Sequence, residues 1–496
     1  MAEDISLKPF VDACETYRRE VAVAQIDYPL GEARATRIDE AVQRGAAVCT
    51  VGALQVLQQD LAAASAASTS WLRRLRAWGL DMHVRGVGLP HQRQVRAQQR
   101  VTTCVVDEQR IPLGSCFAAM AAENRRDRRM AIEEAVAEQL EATNTLLETQ
   151  YADLRRAGEA LGYASLNALW TDVLPVEPTT LQDEALCFLE ETRDVYTDLL
   201  VWAVRHRLNI PPGQLRRHDI LALFTMPAYQ RYYQPGSIIS ALQQCLFDMA
   251  IDTRADGRLA LRQCPAEFGL AAAMAVQIPH EVVVTYSHVS GVKGAEAYAS
   301  AYGQALQWAY TSAELPLVMR LLEEPAFPVS GAQLLAQMVA SPGWLHRYLR
   351  VTVDADYWLW HRLDRLYRLR RQLGRFLYAQ HLSTAESLAG ADEAYREIMM
   401  DACQVAHHPA YYLVDWDWTY MSVAFFRGWK LAYRLLDTLQ QQFSYDWFRN
   451  PDSGLWLSEY WQDALGETME ALQQEVGGGP WEVTEFAAYL VDEATW

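Results

Sequence analysis

The stretch from Ile278 to Leu335 constrains the fold most. It opens on a β-branched and aromatic run, Val282-Val283-Val284-Thr285-Tyr286, which predicts a short strand. A Ser/Gly loop ending at Gly291 follows, and the pattern then changes period. From about Gly294 to about Ser312 the chain is rich in Ala and aromatic residues, which predicts a helix. Ser300 and Gln304 lie four residues apart on that helix, so they share one face about 40° apart. Two residues so spaced can grip a metal if they are His, Cys or carboxylate. Ser and Gln are poor zinc ligands, and an Ala/Tyr helix is also what an ordinary core helix looks like.

Composition sets the outer limits. A hydrophobic content of 51% with 16 Trp and 24 Tyr excludes a disordered chain. A net charge of −18 argues against nucleic acid as a partner. No 18-residue apolar stretch is present, so no membrane-spanning helix is expected. The start, MAEDISLKPF, lacks the pattern of a signal peptide, and the eight cysteines form no C-x-x-C pair. Reduced thiols in a cytoplasmic protein are the expectation.

Along the chain, residues 1–70 show helical periodicity. A basic segment follows, with Arg73, Arg74, Arg76, Arg85, Arg93, Arg96 and Arg100. It reads either as a solvated helix face or as a docking patch for an acidic partner protein. Val101–Pro112 alternates and predicts a hairpin. One long helix is expected from about Asp127 to Gly162, with Ile132, Val136, Leu140 and Leu147 on its apolar face. Leu174-Pro175-Val176-Glu177-Pro178 is a linker, which divides the chain into an N-terminal helical lobe, 1–175, and a second lobe, 176–496. A single helix is expected from Gln182 to Leu208. In Asp354–Leu377, spacing places Trp358, Leu366 and Leu369 in the core and Arg362, Arg365 and Arg368 outward.

The register Tyr302-Gly303-Gln304-Ala305-Leu306-Gln307-Trp308-Ala309 resembles the run Ala-Gly-His-Ala-Leu-His-Phe-Ala of the thimet oligopeptidase and oligoendopeptidase F family of zinc metallopeptidases. Phe443-Ser444-Tyr445-Asp446-Trp447-Phe448-Arg449-Asn450-Pro451 resembles a second family run. The likeness extends over roughly residues 125–480. It implies an all-α, bilobed peptidase-like fold with a central channel and a small β-sheet at the cleft rim. It places Ser300 at the first zinc histidine, Ala301 at the general-base glutamate, Gln304 at the second histidine and Gly331 nearest the third ligand. The zinc motif would then be lost, with no metal and no cofactor. The segment Gln263–Phe268 would form a wall facing that position, with His280 and His288 flanking the hairpin at the cleft edge.

The resemblance also assigns the site's other side. Tyr420 matches the first of two substrate-binding tyrosines, Arg427 the second, and Asp415 falls near a family histidine. These three are the expected catalytic set. Ser300, Gln304, His288 and Gly331 are the expected substrate-binding set. A floor of small neutral groups, roomier and less positive than a zinc site, is expected beneath them. Two functions follow from the likeness. One is metal-free, non-hydrolytic chemistry, such as elimination or aziridine-type ring closure, on a small or carrier-bound amine in natural-product biosynthesis. The other is a non-catalytic pseudopeptidase that binds peptides or stabilises a partner.

Overall fold

A computed structural model describes residues 7–28, 31–251, 257–265, 271–287, 289–477 and 479–492. His288 and Ala266, Glu267 and Phe268 of the expected cleft wall lie outside the described residues. The fold is mainly helical with two small sheets among the described residues.

The expected hairpin forms between Thr103–Val106 and Gln109–Pro112. Its two-residue turn, Asp107-Glu108, takes positive φ at both positions, the geometry whose twist matches a tight hairpin. The long amphipathic helix runs Arg126–Ala160 and buries Ile132, Val136, Leu140 and Leu147 as its spacing requires. The helix expected over 182–208 is two helices, Pro178–Glu191 and Arg193–Arg207. The buried Arg370 guanidinium causes the break. It donates to the Leu189 carbonyl and to Thr192 Oγ1, each at 2.7 Å, and so takes one carbonyl acceptor from the helix ladder. Its Nε donates to the Ala402 carbonyl at 2.7 Å, tying three segments together.

The basic segment is one helix, Ala66–Val101. Its arginines are largely consumed inside the molecule. Arg74 donates to the carbonyls of Leu465, Gly466 and Glu467, and Arg76 to Asp172 and Tyr163. Arg85 pairs with Asp81, Arg93 and Arg96 with Asp39, and Arg100 with Glu32. The docking-patch expectation therefore fails for these residues, and Arg73 is left on the exposed face.

One continuous hydrophobic core takes in residues from Val84 to Leu490, on both sides of residue 175. A second cluster gathers Leu7 to Met82 with Leu322. The N-terminal helix is tied across by Arg18, which pairs with Glu323, while Glu323 also accepts from Trp308 Nε1 at 2.7 Å.

The strand at 281–286 is the middle of a three-stranded sheet. It runs antiparallel to Ala271–Gln277 and parallel to Leu259–Gln263. The helix Gly291–Tyr310 leaves this sheet and meets Ala326–Ala340, which in turn meets Met421–Phe443. Glycine allows both close approaches. A Cβ at Gly303 would sit 2.0 Å from the Gly331 carbonyl oxygen, and one at Gly428 2.6 Å from the Ala326 carbonyl oxygen. The Ser300 helix is thus locked at one contact to the 326–340 helix, which sets what can stand between them.

Candidate active site: a small cavity of charged groups

The residues expected to hold or replace a metal are split by this packing. Gly331 does not open onto a site. A Cβ there would meet the Gln307 side chain at 2.4–2.8 Å. Gln307 is fully buried, and its Nε2 donates to Ser330 Oγ at 3.1 Å. No acidic side chain fits at 331 while Gln307 stands there. Gln304 is half-buried and is not among the residues lining the cavity beside Ser300. Ser300 does. It shares a small cavity with Glu296, Gln333, Ala336, Gln337, His361, Asp364, Arg365, Arg368 and Trp429. About 20 Å³ there is open to the centre of a water-sized sphere, room for one water.

The cavity's charges come from two facing helices. On 291–310, Lys293, Glu296 and Ser300 follow one another at three- and four-residue spacing, a single polar stripe. On Ala355–Thr384, His361, Asp364, Arg365 and Arg368 do the same. Asp354 starts that helix by accepting from the Tyr357 backbone N–H at 2.9 Å. Across the gap, Lys293 Nζ lies 3.2 Å from Asp364 Oδ1. Arg368 Nη2 reaches Glu296 Oε2 at 2.8 Å and Asp364 Oδ2 at 2.6 Å. Burial alone would raise the Glu296 carboxyl, but Arg368 and then Lys293 outweigh it and hold it well below the usual carboxylate range. Lys293 and Arg368 side chains remain 41% and 31% exposed, so the cluster reaches solvent on their side.

His361 sits at the inner end, 2% exposed, with its ring 4.3 Å from Tyr357. Burial first, and Arg365 second, lower its pKa to about 3, so it is neutral at pH 7. His361 Nε2 and Trp429 Nε1 are both buried without a hydrogen-bond partner among the described residues. The expected floor was roomier and less positive. The observed one is tight, and Arg365 and Arg368 turn inward rather than outward as the sequence reading had them.

The three expected catalytic residues do not meet at this cavity, and each has its own partners. Asp415 is buried. Arg217 Nη1 donates to it at 2.9 Å, Arg371 Nη2 at 3.3 Å and the Tyr395 hydroxyl at 2.7 Å. Burial would raise its carboxyl, but Arg217 and Arg371 outweigh that and hold it well below the usual range. Tyr420 stands at positive φ before the 421–443 helix. Its hydroxyl bonds Ser383 Oγ at 2.7 Å and donates to Gln380 Oε1 at 3.2 Å. Burial raises its pKa above the ordinary tyrosine value. Arg427 Nε donates to Glu324 at 2.9 Å, and its Nη1 lies 2.9 Å from Glu470. Each of the three is thus held by its own partners, and Arg427 Nη2 is buried without a hydrogen-bond partner among the described residues.

A zinc ion does not fit the residues present. Ser300, Gln304 and Gly331 offer no suitable donor set, and Gln307 occupies the space a third ligand needs. Among the described residues no group of three or more His, Cys, Asp or Glu is placed to hold a metal. Glu296, His361, Asp364, Arg365 and Arg368 were missed by sequence reasoning. The available signal was the polar stripe through Lys293, Glu296 and Ser300, extended onto a helix whose inward arginines looked like a solvated face.

Acid should therefore destabilise the fold early. His407 is a second buried neutral histidine, lowered to about 4 by burial and then by Arg217. The unfolded chain takes up protons on both rings below about pH 6.5, while the folded chain does not until pH 4 or lower. Stability is fully present above 6.5 and falls as pH drops, by up to about 1.4 kcal/mol per unit for each ring. His218, whose pKa is raised, acts in the opposite sense and loses its contribution as pH rises. Urea unfolding between pH 7 and 5 should show a falling midpoint, with a shallower fall in His361→Gln. An unchanged slope in that variant would contradict the neutral assignment.

A mainly helical fold with a small charged cavity beside Ser300 is what these features define. No known family profile matches the sequence, and no curated protein matches it. Among solved structures it is similar to a carboxypeptidase of Pyrococcus furiosus in an apo, magnesium form. The TM-score is 0.59 at 11% identity, over 98% of this chain and 98% of that one. The chain therefore has a peptidase-like helical fold. No helix among the described residues is long and apolar enough to cross a membrane.

Proposed function

We propose that this chain is a relative of the oligopeptidase F-type peptidases that has lost the zinc motif and performs metal-free, non-hydrolytic chemistry on an amine. The observation that supports the reading is the cluster of charged groups around Ser300: Glu296, Asp364, Arg365 and Arg368, with neutral His361. Ring closure and elimination need orientation and charge stabilisation more than an activated water. In an aziridine-type closure the amine nitrogen attacks the neighbouring carbon. The C–N bond forms, the bond to the leaving group breaks, that group departs as an anion with the electron pair, and nitrogen loses one proton. Glu296 and Asp364 suit the ammonium form in which the substrate arrives, which gives one proton to solvent before its nitrogen can attack, and the arginines suit the departing anion. His361, neutral and with an unpartnered ring nitrogen, suits the proton. The substrate is small or carrier-bound, in natural-product biosynthesis, and the protein acts in the cytoplasm without nucleic acid or membrane as partner.

The second reading, a pseudopeptidase that binds a peptide or stabilises a partner protein, is favoured by one observation. The cavity has room for a single water as it stands, so any substrate needs its lining side chains to move. One assay separates the two. The protein is incubated with small amines carrying a vicinal leaving group, and ring product and released anion are quantified by mass spectrometry and ion chromatography. Turnover lost in His361→Gln, with the fold intact, supports the enzyme. Binding of peptides without turnover supports the scaffold. Casein hydrolysis should be undetectable in either case.

A further inference from the structure

We infer that Arg217, Arg371 and Arg375 form a subsite for a dianionic group of the substrate, a phosphate monoester or a pair of carboxylates. Three observations converge. The first is placement. His361, Asp364, Arg368, Arg371 and Arg375 follow one another at three- and four-residue spacing, so the polar stripe of the 355–384 helix runs on past the cavity beside Ser300. Arg217 reaches the same place from the short helix Arg217–Leu223, and with Arg371 it bonds the Asp415 carboxylate. The second is charge. Lys293 and Arg368 are matched by Glu296 and Asp364. Farther along the stripe, Asp415 is the one carboxylate paired with Arg217 and Arg371. Arg375 pairs with none among the described residues. Its Nε donates to the Asp415 backbone carbonyl at 3.0 Å and its Nη1 to Gln372 Oε1 at 3.2 Å. Three guanidiniums against one carboxylate leave two positive charges, on a chain whose net charge is −18. The third is enclosure. Protein surrounds Arg217, Arg368 and Arg371 on nearly every side, yet their side chains stay 12%, 31% and 25% exposed. Groups of that kind face an inlet of water rather than the outer surface.

Water hydrates these groups but brings no counter-charge, and charge in an enclosed inlet is screened less than at an open surface. A single carboxylate offsets one of the two charges. A dianion offsets both, and its oxygens match the planar forks of the guanidiniums. Asp364 and Arg371 are two turns apart, about 10 Å along the helix axis. The substrate therefore carries its anionic group at about that distance from the amine held by Glu296 and Asp364. The inference rests on the proposed function for the amine end, but anion binding needs no turnover, so the two fail separately.

The test is calorimetry on the full chain with inorganic phosphate, succinate and acetate at one ionic strength. Phosphate or succinate should bind at least about tenfold tighter than acetate, the effect of one further hydrogen bond between charged groups. The tighter of the two names the source, phosphate for a phosphate monoester and succinate for a dicarboxylate. Arg375→Gln keeps a donor for the Asp415 carbonyl, so it should fold normally and weaken that binding at least about tenfold. Arg371→Gln should do the same, while Arg73→Gln, on the exposed face of the 66–101 helix, should leave binding unchanged. Aminohexyl phosphate, long enough to reach both ends, should bind at least about tenfold tighter than aminoethyl phosphate, and Glu296→Gln should remove that gain without weakening phosphate. No gain, with phosphate still bound, would sink the amine reading and leave the subsite standing. Equal binding of all three anions, or phosphate bound as tightly by Arg371→Gln and Arg375→Gln as by the unaltered chain, overturns the inference.

Discussion

Asp415→Ala should destabilise the protein by about 3–5 kcal/mol, the cost of breaking a buried ion pair from one side. Removal of the carboxylate leaves Arg217 and Arg371 facing each other in a buried space with no counter-charge, and Tyr395 without its acceptor. Arg217 is further fixed over the Tyr411 ring at 3.8 Å, so it has little freedom to swing to water. Asp415→Asn should cost less, because the amide keeps an acceptor for Tyr395. Urea unfolding at pH 7 measures both. A residue acting mainly as a catalytic base would show the reverse, a near-native midpoint with turnover gone. That outcome would return Asp415 to the role the sequence reading gave it.

Introduction of a zinc-ligand set at these positions should fail for a packing reason. Ser300→His, Ala301→Glu, Gln304→His and Gly331→Glu together write a peptidase-like ligand set into the chain. The glutamate at 331 would have to pass through Gln307, and even a Cβ there stands 2.4 Å from its side-chain carbon. The expected cost is at least about 3 kcal/mol from overpacking alone, with no stoichiometric zinc by metal analysis. Addition of Gln307→Ala makes room and should recover most of the stability. Tight zinc binding by the four-residue variant with Gln307 intact would show that the helices part more readily than the Gly303–Gly331 contact implies.

Much of the architecture was legible because it depends on local chemistry. The hairpin at 103–112 follows from alternation and a two-residue turn. The helix at 126–160 follows from Ile132, Val136, Leu140 and Leu147, four positions that any core would bury. The likeness around Gly303 also led to a helical peptidase-like fold. The break at Thr192 was not legible. It depends on Arg370, 178 residues away, reaching Thr192 Oγ1 and the Leu189 carbonyl, and no local pattern reports that. The site was half legible. Ser300 does line the cavity, but its charged partners lie on 355–384, where Arg and aromatic residues alternate so densely that helical spacing alone cannot tell the inward arginines from the outward ones. Asp415, Tyr420 and Arg427 follow from the likeness to a family segment, and in this chain partners from other elements hold each of them.

The central claim is that fixed charges around Ser300 do the work a metal would do in an active peptidase. Its most direct test is turnover of an amine with a vicinal anionic leaving group by protein stripped with a chelator, then titrated with zinc. The account predicts full ring-closing activity in the stripped protein, no gain on adding zinc, and loss in His361→Gln. Activity that is absent after stripping and returns in proportion to zinc bound would contradict it.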